Sequence, residues 1–394
     1  MKILITSEWY APTINGVVTS IVNLEKELNR LGHEVRILTL SNRRRSYRRD
    51  HVTYISSIGA GKIYPGVRVT FSKDNRYIEE IAEWKPDIIH SQCEFSTFRI
   101  ARHIAKKCAI PIVHTYHTVY EDYTHYFSPN KKWGKAMVAL FSKKILNQAS
   151  CVIAPTAKVS SLLKEYGVTQ PIEVVPTGID MNRFAVEMSS YERKLLKEKH
   201  HIPEHHKVLL FVGRLAKEKN LEEILTFVSK IKNENLTLLI VGDGPYRNEL
   251  EEMAETLGIK ENVIFVGMIT PEKIPFYYQL GDIFVSASNS ETQGLTYIEA
   301  LANGLPALCR KDACLENVLE DGVNGWQYET FDQFKERLDA MLSVPELYMR
   351  LCANAKAGAI RKYSSVTFAK TLEDLYERTI QMYQDTEKVP ALSK

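Results

Sequence analysis

The pattern of apolar and polar positions in the first part of the chain predicts a strand, a loop, a helix and a second strand. Residues 2–6 contain three consecutive apolar residues and are predicted to form a strand, and residues 17–31 place apolar side chains along one helix face. A further apolar run at residues 35–40 completes the unit. In an open sheet of parallel strands, the loop before such a helix lies at the carboxyl end of the strand, where ligands bind.

The same alternation continues along the rest of the chain. In the first half it predicts strands at residues 88–90, 110–114, 151–154 and 172–176, and helices near 95–107, 133–148 and 157–166. In the second half it predicts strands at 208–212, 236–241, 263–266, 283–286 and 306–309, and helices at 220–232, 246–257, 294–303 and 368–383. Residues 185–206 are polar and charged, and we interpret them as a linker with a short helix. The sequence therefore predicts two α/β domains, with a ligand in the cleft between the carboxyl ends of their sheets.

A pair of glutamates brackets one predicted helix of the second half. Glu291 and Glu299 have seven residues between them, and a fully helical segment would separate their Cα atoms by up to ~12 Å. That is too far for the ~5–9.5 Å carboxyl pair of a glycosidase, and it is awkward for one metal ion. The two acids suit a long ligand, in which an anion binds the free amides of Gly294, Leu295 and Thr296 and hydroxyls on either side reach the carboxylates. A nucleoside diphosphate sugar has this layout, and two exposed acids on a surface helix are the alternative.

Two cations follow the first strand of the second half. Arg214 and Lys219 follow that strand, and we expect Lys219-Asn220 to open the next helix. Such cations can clamp a diphosphate and neutralise the charge of a leaving group, and a solvated basic loop is the alternative. Residues 242–245, Gly-Asp-Gly-Pro, predict a tight turn at a helix start. Residues 267–271, which include Ile269, follow the next strand and offer backbone groups to a base.

The first half offers fewer candidate residues. His117 falls just past the strand at 110–114, on the predicted catalytic rim, although a lone histidine is more often structural. Gly16 lies just ahead of the first helix, in a phosphate-site position. The dinucleotide fingerprint is absent, because the loop has one glycine where three are required.

Composition and charge indicate the number of domains, the absence of a predicted membrane span and the kind of partner to expect. The 394 residues suffice for two or three domains, and no apolar run approaches the ~20 residues of a transmembrane helix. The apolar run at the start is too short for a signal peptide, which predicts a cytoplasmic protein. Residues 1–190 carry a net charge of +9 and residues 191–394 a net charge of −6, so the first half is expected to meet nucleic acid or anionic lipid. The cysteines show no metal-ligand spacing and are expected to be reduced.

Taken together, these motifs resemble retaining glycosyltransferases of the GT-B fold, over nearly the whole chain. The features that occur in the family's order are Gly16 in a proline-containing loop, His117, Gly-Arg-Leu with Lys219, Gly-Asp-Gly-Pro and the paired glutamates. The resemblance implies an α/β protein with two Rossmann-like domains facing across a cleft. The first domain would be residues 1–182, with residues 366–394 packing back on it, and the second would be residues 183–365. The resemblance also implies a nucleotide-sugar donor, no essential metal or cofactor, and retention of the anomeric configuration.

The resemblance assigns roles to individual residues. Glu299 matches the ribose ligand and Glu291 the ligand of the hexose hydroxyls, while Arg214 and Lys219 match the diphosphate clamp. The other positions that it places at the donor or the reacting sugar are Gly16, His117, Ile269, Gly294, Leu295 and Thr296. The family usually has an aromatic residue before the central glycine, where this chain has Gln293, so the identity of the hexose stays open.

A narrower resemblance concerns the acceptor. Residues 7–24, 114–126 and 290–306 resemble bacterial diacylglycerol α-glucosyltransferases, which implies UDP-glucose as donor, diacylglycerol as acceptor and peripheral binding to anionic phospholipid at the cytoplasmic membrane face. An apolar helix flanked by lysines at residues 131–144 favours membrane contact over the alternative of an ordinary core helix. A run of arginines at residues 43–49 fits an anionic membrane surface and a solvated charged loop equally well. The residues expected at the membrane or acceptor are Arg43, Arg44, Arg45, Arg48, Arg49, Trp133, Phe141, Tyr120 and Tyr123.

Three alternative functions stay open from the sequence. The same enzyme class could use a saccharide or a cell-wall polymer as acceptor. A catalytically silent nucleotide-sugar-binding subunit is disfavoured by the intact glutamate pair and cation pair. A nucleic-acid-binding protein is disfavoured because no such motif is recognised and the acidic second half would repel phosphate.

Overall fold

The structure is a computed structural model that describes residues 1–13, 15–60, 68–72, 75–121, 130–288 and 290–388. Its strands are β1 (Lys2–Thr6), β2 (Glu34–Leu40), β3 (Tyr47–Arg49), β4 (Val52–Ile55), β5 (Ile58–Gly59), β6 (Arg68–Val69), β7 (Ile88–Ser91), β8 (Ile112–Thr115), β9 (Cys151–Ala154), β10 (Ile172–Val174), β11 (Lys207–Val212), β12 (Leu236–Val241), β13 (Val263–Gly267), β14 (Ile283–Ser286), β15 (Ala307–Arg310) and β16 (Gly325–Tyr328). Its helices are α1 (Gly16–Arg30), α2 (Arg76–Trp84), α3 (Ser96–Cys108), α4 (Lys131–Leu146), α5 (Ala157–Glu165), α6 (Ser190–Lys199), α7 (Leu221–Ile231), α8 (Arg247–Thr256), α9 (Ile274–Leu280), α10 (Leu295–Ala302), α11 (Phe331–Ser343), α12 (Pro345–Tyr363) and α13 (Ser365–Lys388).

These elements belong to two units. The first contains Met1–Gly178 and the segment that starts at Ser365, and the second contains Ile179–Ser364. The boundaries fall four residues and one residue before the positions taken from the sequence. Each unit is built on a largely parallel sheet, so the predicted alternation of strands and helices is confirmed in both halves of the chain.

The first unit is organised around an eight-stranded sheet in the order β10-β9-β8-β7-β1-β2-β4-β3. Neighbouring strands are parallel except at the edge, where β3 runs antiparallel to β4. Ile3 and Ile5 of β1 pack in the cluster that includes α1 and α13, while Leu4 packs in the cluster that includes α3 and α4. All three side chains are fully buried, because helices cover both faces of this central strand.

The carboxyl-terminal helix α13 is part of the first unit. Leu372 and Tyr376 of α13 share an apolar cluster with α1. The hydroxyl of Tyr376 lies 2.5 Å from Nδ1 of His90 in β7, and Nε2 of His90 lies 2.7 Å from Oγ1 of Thr115 in β8. Burial lowers the pKa of His90 well below its usual value, so the ring is neutral and donates one of these bonds while accepting the other. A polar link therefore fixes α13 to the centre of the sheet.

The second unit contains a six-stranded sheet in the order β13-β12-β11-β14-β15-β16, in which all neighbours are parallel. Leu209 and Phe211 of β11 pack into one apolar cluster, and Val208 and Leu210 pack into another. The central strand is thus covered on both faces, as in the first unit.

Residues 185–206 are not the linker that their polarity suggested. They lie inside the second unit, and Ser190–Lys199 within them form α6. Lys197 is only 4% exposed, because its ammonium group donates to the carbonyl oxygens of Glu204 and His206, each at 2.8 Å. The polar composition was misleading because this charge satisfies backbone groups of the unit.

Several elements were not predicted, namely the short strands β3 to β6 and β16 and the helices α2, α9, α11 and α12. The failure to predict β16 has a clear physical cause. Gly325 has a φ of 153°, and a Cβ there would lie 2.0 Å from the carbonyl oxygen of Ala307 in β15. Asn324-Gly325 is typical of a turn. Here the glycine instead lets an edge strand approach its neighbour closely.

We expect Tyr376→Ala to lower the free energy of unfolding of the first unit by ~3–5 kcal/mol, the usual cost of removing a large buried aromatic side chain. Chemical denaturation followed by circular dichroism measures the change. Met382→Ala is the matched control, because Met382 lies on the same helix but is 62% exposed, and its effect should stay within ~0.5 kcal/mol. Equal effects of the two substitutions would contradict the role of Tyr376 as the core anchor of α13.

Candidate functional site

Two loops meet at the carboxyl edge of the second sheet. β11 and β14 are parallel neighbours, so the loop from β11 to α7 and the loop from β14 to α10 leave the sheet at the same edge. Oγ of Ser290 donates to the carbonyl oxygen of Glu218 at 3.3 Å, and Nδ2 of Asn220 donates to the carbonyl oxygen of Ala287 at 3.5 Å. The predicted cation loop and the predicted glutamate loop are therefore held together by direct hydrogen bonds.

Each predicted cation has a carboxylate partner in the structure. Nζ of Lys219 lies 2.5 Å from Oε1 of Glu291, and the two side chains are 18% and 16% exposed. Arg214 forms an ion pair with Glu218, the side chain of which is 6% exposed. Lysine has three N–H donors and arginine five, so each cation can keep its carboxylate and still donate to an anion. The sequence did not reveal the pairing of Lys219 with Glu291, because these two residues lie in separate loops.

The helix that follows Lys219 begins later than expected. Lys217–Lys219 form a short 3-10 turn, Asn220 has a left-handed backbone with φ 52°, and α7 starts at Leu221. Asparagine tolerates this conformation better than most residues. Lys219 consequently ends a turn instead of opening a helix, and its side chain reaches Glu291.

Gly294 is the N-cap of α10, and Leu295 and Thr296 are the first helical residues, close to the predicted start. The φ of Gly294 is 72°, and a Cβ there would lie 2.3 Å from the ring of Tyr297. Tyr297 is buried and its hydroxyl lies 2.8 Å from Oγ of Ser286, so its ring has little room to move. Glycine provides no side-chain cap, which leaves the first amides of α10 suited to an anion.

Glu299 lies further along α10 and has a tyrosine partner. The hydroxyl of Tyr278 on α9 donates to Oε2 of Glu299 at 2.9 Å. Burial raises the pKa of Glu299, while the bond from Tyr278 and the nearby Arg183 oppose the shift. Ile269, in the loop after β13, is half-buried against the apolar cluster that contains Tyr278. Tyr278 was missed because the sequence pattern did not reveal α9.

The Gly-Asp-Gly-Pro turn positions the loop that carries Arg214. A Cβ at Gly242 would lie 1.9 Å from the carbonyl oxygen of Gly213, and a Cβ at Gly244 would lie 2.2 Å from that of Leu215. The amide of Leu215 donates to the carbonyl oxygen of Asp243 at 3.0 Å. The turn is structural, and only glycine permits the two backbones to approach this closely.

The first unit brings His117 and Gln92 together at the carboxyl ends of neighbouring strands. Gln92 follows β7, His117 follows β8, and Nε2 of His117 lies 2.6 Å from Oε1 of Gln92. Burial, with a smaller contribution from His114, lowers the pKa of His117 to about 3, so the ring is neutral at pH 7. The position of Gln92 directly after a strand could have identified it. Gly16 is the first residue of α1 and follows the N-cap residue Asn15.

Comparison with known proteins identifies the family. The model described as Glycosyltransferase Family 4 matches residues 14–183, and the model described as Glycosyl transferases group 1 matches residues 192–358. The chain is 34% identical over 381 residues to the alpha-monoglucosyldiacylglycerol synthase of Streptococcus pneumoniae, covering 95% of this chain and 85% of that protein. It is 33% identical over 389 residues to the synthase of the same name from Acholeplasma laidlawii, covering 95% and 96%. The chain belongs to this family of glycosyltransferases.

The fold of this glycosyltransferase is GT-B, as the sequence motifs implied. HepE of Anabaena, solved in complex with UDP-glucose, matches with a TM-score of 0.74 and 16% identity, covering 96% of this chain and 100% of that one. At this identity the likeness concerns the fold alone. The predicted family, fold class and enzyme class are confirmed.

The arginine run of the glycosyltransferase lies at one edge of the first sheet. The three arginines at residues 43–45 are exposed and precede β3, and Arg48 and Arg49 lie within that strand. Arg48 pairs with Glu80 at 3.4 Å, and Arg49 lies 4.0 Å from Asp50. Because β3 is five strands away from β8, which precedes α4, about 24 Å of sheet separates the run from that strand. Part of the basic run is thus already paired, and it forms a surface separate from α4.

The helix α4 exposes an apolar stripe between lysines. Trp133, Met137 and Leu140 are 72%, 58% and 69% exposed. Phe141, which was expected on this surface, is half-buried and stacks on Phe95 with 5.5 Å between the ring centroids. Leu140, which is three residues after Met137, lies on the exposed stripe in its place, because Phe141 packs against Phe95. None of the helices within the described ranges has the length and apolarity needed to cross a bilayer.

Tyr120 and Tyr123 are the two tyrosines predicted at the acceptor. Tyr120 is half-buried, and its hydroxyl donates to Oε2 of Glu94 at 2.5 Å. Glu94 was not among the predicted site residues. Tyr123 lies outside the described residues.

We expect the ring of His117 to stay neutral from pH 8 down to about pH 4, because its pKa is near 3. A histidine in the unfolded chain titrates near pH 6.5. The unfolded state therefore binds more protons below that pH, and this residue makes the free energy of unfolding fall as the pH falls from about 6.5 towards 3. NMR of the imidazole measures the titration, with His117→Gln to assign the resonance. A midpoint near pH 6.5 would contradict the burial of this ring.

Proposed function

We propose that the enzyme transfers glucose from UDP-glucose to the free hydroxyl of diacylglycerol, with retention of the anomeric configuration, at the cytoplasmic face of the membrane. The main observation in support of a nucleotide-sugar donor is the ion pair of Lys219 and Glu291 beside the start of α10. The relatives named alpha-monoglucosyldiacylglycerol synthase support the acceptor, and the likeness to HepE, solved with UDP-glucose, is in keeping with the donor.

In this proposal the donor lies along the carboxyl edge of the second sheet. Glu299 accepts hydrogen bonds from the ribose hydroxyls, with Tyr278 holding its carboxylate from the other side. The diphosphate binds the first amides of α10, where the positive end of the helix dipole favours an anion. Glu291 accepts hydrogen bonds from the hexose hydroxyls while Lys219 fixes its position.

The transfer step needs charge stabilisation more than it needs a nucleophilic side chain. The acceptor oxygen forms a bond to the anomeric carbon on the face from which the bond to the diphosphate oxygen breaks. The electron pair of the broken bond stays with UDP, and a diphosphate oxygen takes the acceptor's proton. Lys219 and Arg214 stabilise the developing charge, and their carboxylate partners hold them in place before the reaction. We propose that these fixed cations serve in place of an essential metal ion.

The membrane half of the proposal rests on α4. Its sequence contains lysines at both ends and no acidic residue. Each cation near an anionic surface contributes about 1 kcal/mol of attraction, and the exposed stripe of Trp133, Met137 and Leu140 supplies apolar surface for insertion. This combination of charge and apolarity suits an anionic bilayer better than nucleic acid.

Transfer assays test the function. The purified enzyme is incubated with UDP-glucose, UDP-galactose, UDP-N-acetylglucosamine or GDP-mannose, and with vesicles that contain diacylglycerol or with soluble saccharides. We expect the highest kcat/KM for UDP-glucose with diacylglycerol, an α-linked product by NMR, and little effect of EDTA. Transfer to saccharides without transfer to diacylglycerol would contradict the acceptor, a β-linked product would contradict retention, and EDTA inhibition reversed by Mg²⁺ would contradict the role given to the cations.

Substitutions at the donor site should separate its parts. We expect Arg214→Ala and Lys219→Ala each to lower the transfer rate at least ~10²-fold, the scale for removing one preorganised charge stabiliser. Glu299→Ala should chiefly weaken UDP binding, whereas Glu291→Ala should chiefly lower kcat. Steady-state kinetics and calorimetry with UDP measure these effects. Lys217→Ala is the matched control, because Lys217 lies in the same turn as Lys219 but is exposed. A loss in the control as large as that in Lys219→Ala would remove Lys219 from the clamp.

Vesicle co-sedimentation across a salt series tests the membrane surface. Changing the five arginines to serine should remove much of the salt-sensitive binding, because exposed charges are screened beyond ~8 Å at physiological ionic strength. Trp133→Ser with Leu140→Ser should reduce the salt-resistant part. Met349→Ser is the control, since Met349 is 61% exposed in the second unit and lies outside α4. Equal binding of the wild type to neutral and anionic vesicles at low salt would overturn this part of the proposal.

A further inference from the structure

An exposed aromatic side chain lies at the start of α3, close to the polar edge of the first sheet. Phe95 is 44% exposed and occupies the N-cap position of α3. Its ring stacks on Phe141 of α4, with centroids 5.5 Å apart, and packs edge-to-face with the ring of Tyr120, with centroids 5.9 Å apart. Three rings from three separate segments thus form one apolar surface. The proposed binding of the nucleotide sugar does not use this surface.

A buried carboxylate holds this surface in place. Glu94 is 3% exposed; its Oε2 accepts from the hydroxyl of Tyr120 at 2.5 Å, and its Oε1 lies 3.2 Å from Nε2 of the fully buried His114. Burying a carboxylate is costly unless hydrogen bonds compensate it, and here both oxygens are used to hold neighbouring groups. Glu121, the residue after Tyr120, pairs with Lys135 of α4 at 2.5 Å. The segment that carries Tyr120 is therefore tied to the sheet edge on one side and to α4 on the other.

We propose that Phe95, Tyr120 and Phe141 form the surface on which an acyl chain of the lipid acceptor lies, and that Glu94 is the positioning residue that fixes this surface through Tyr120. The inference rests on the proposed function, because it requires a lipid acceptor. It assigns a place in the first unit to the apolar part of that acceptor.

Two observations point to a lipid chain as the occupant. Phe141 belongs to α4, the helix that also carries the exposed stripe of Trp133, Met137 and Leu140, and the lysines of that helix complement an anionic bilayer. At its other end the surface approaches polar groups, because Gln92, which contacts His117, lies three residues before Phe95. A diacylglycerol molecule has the matching layout of long apolar chains and one hydroxyl.

Kinetics with diacylglycerol in vesicles tests the surface through Phe95→Ser. We expect KM for a long-chain diacylglycerol to rise roughly tenfold, the scale for losing the burial of one aromatic side chain, with unchanged UDP affinity and unchanged vesicle binding. The preference of the wild type for long over short acyl chains should also weaken. Met349→Ser is the matched control for an exposed apolar residue elsewhere. An unchanged KM and an unchanged chain-length preference in Phe95→Ser would overturn the assignment of this surface.

The positioning role of Glu94 has its own readout. Glu94→Ala should raise KM for diacylglycerol, and Glu94→Gln, which keeps an acceptor for Tyr120, should restore much of the wild-type value. UDP affinity and melting temperature report folding in both variants. If Glu94→Ala does not fold, Tyr120→Phe makes the same test by removing only the hydroxyl. Equal KM values in the wild type and Tyr120→Phe, or no rescue by a folded Glu94→Gln, would overturn the positioning role.

The assays also distinguish failure of this inference from failure of the proposed function. A wild-type enzyme that glucosylates saccharides and not diacylglycerol would overturn both. A wild-type enzyme that glucosylates diacylglycerol, combined with an unaffected Phe95→Ser variant, would overturn only the acyl-chain surface.

Discussion

The ion pair between Lys219 and Glu291 is the interaction on which the donor-side edge of the second unit depends. It joins two loops that are far apart in sequence, and it does so with both side chains largely shielded from water. Partly buried opposite charges are favourable only when their distance and orientation are fixed. The left-handed backbone at Asn220 and at Gly294 provides that fixed geometry, because each residue ends its loop and sets the start of the following helix.

Close backbone packing underlies the same edge. Gly242 and Gly244 allow one turn to lie against the loop of Arg214, with no space for a Cβ at either position. The cations are consequently presented by a rigid turn whose hydrogen bonds are made in advance. Such preorganisation is the property that electrostatic stabilisation of a leaving group requires.

The carboxyl edge of the first sheet carries a neutral histidine and apolar rings, in contrast to the ion pairs of the second unit. His117 is neutral and hydrogen-bonded to Gln92. Both carboxylate oxygens of Glu94 are hydrogen-bonded within the unit, to His114 and to Tyr120. Next to these groups lie the exposed rings and the lysine-flanked stripe of α4. In the proposed function this contrast has a simple reason, because a nucleotide sugar is highly charged whereas diacylglycerol is neutral and mostly apolar.

The sequence by itself determined the two series of strands and helices, the family, and the residues that stand at the ends of strands. Apolar periodicity and glycine positions act over a few residues, so they are visible without a structure. Only the tertiary structure decided that Lys219 pairs with Glu291, that Tyr278 holds Glu299 and that Leu140 replaces Phe141 on the exposed face of α4. It also placed the polar residues 185–206 inside the second unit. It showed that the strand β16 begins at Gly325 of Asn324-Gly325, a dipeptide that is typical of a turn. The reason is that these outcomes depend on contacts between residues distant in sequence, or on which side of a helix meets a neighbour, and neither is encoded in local periodicity.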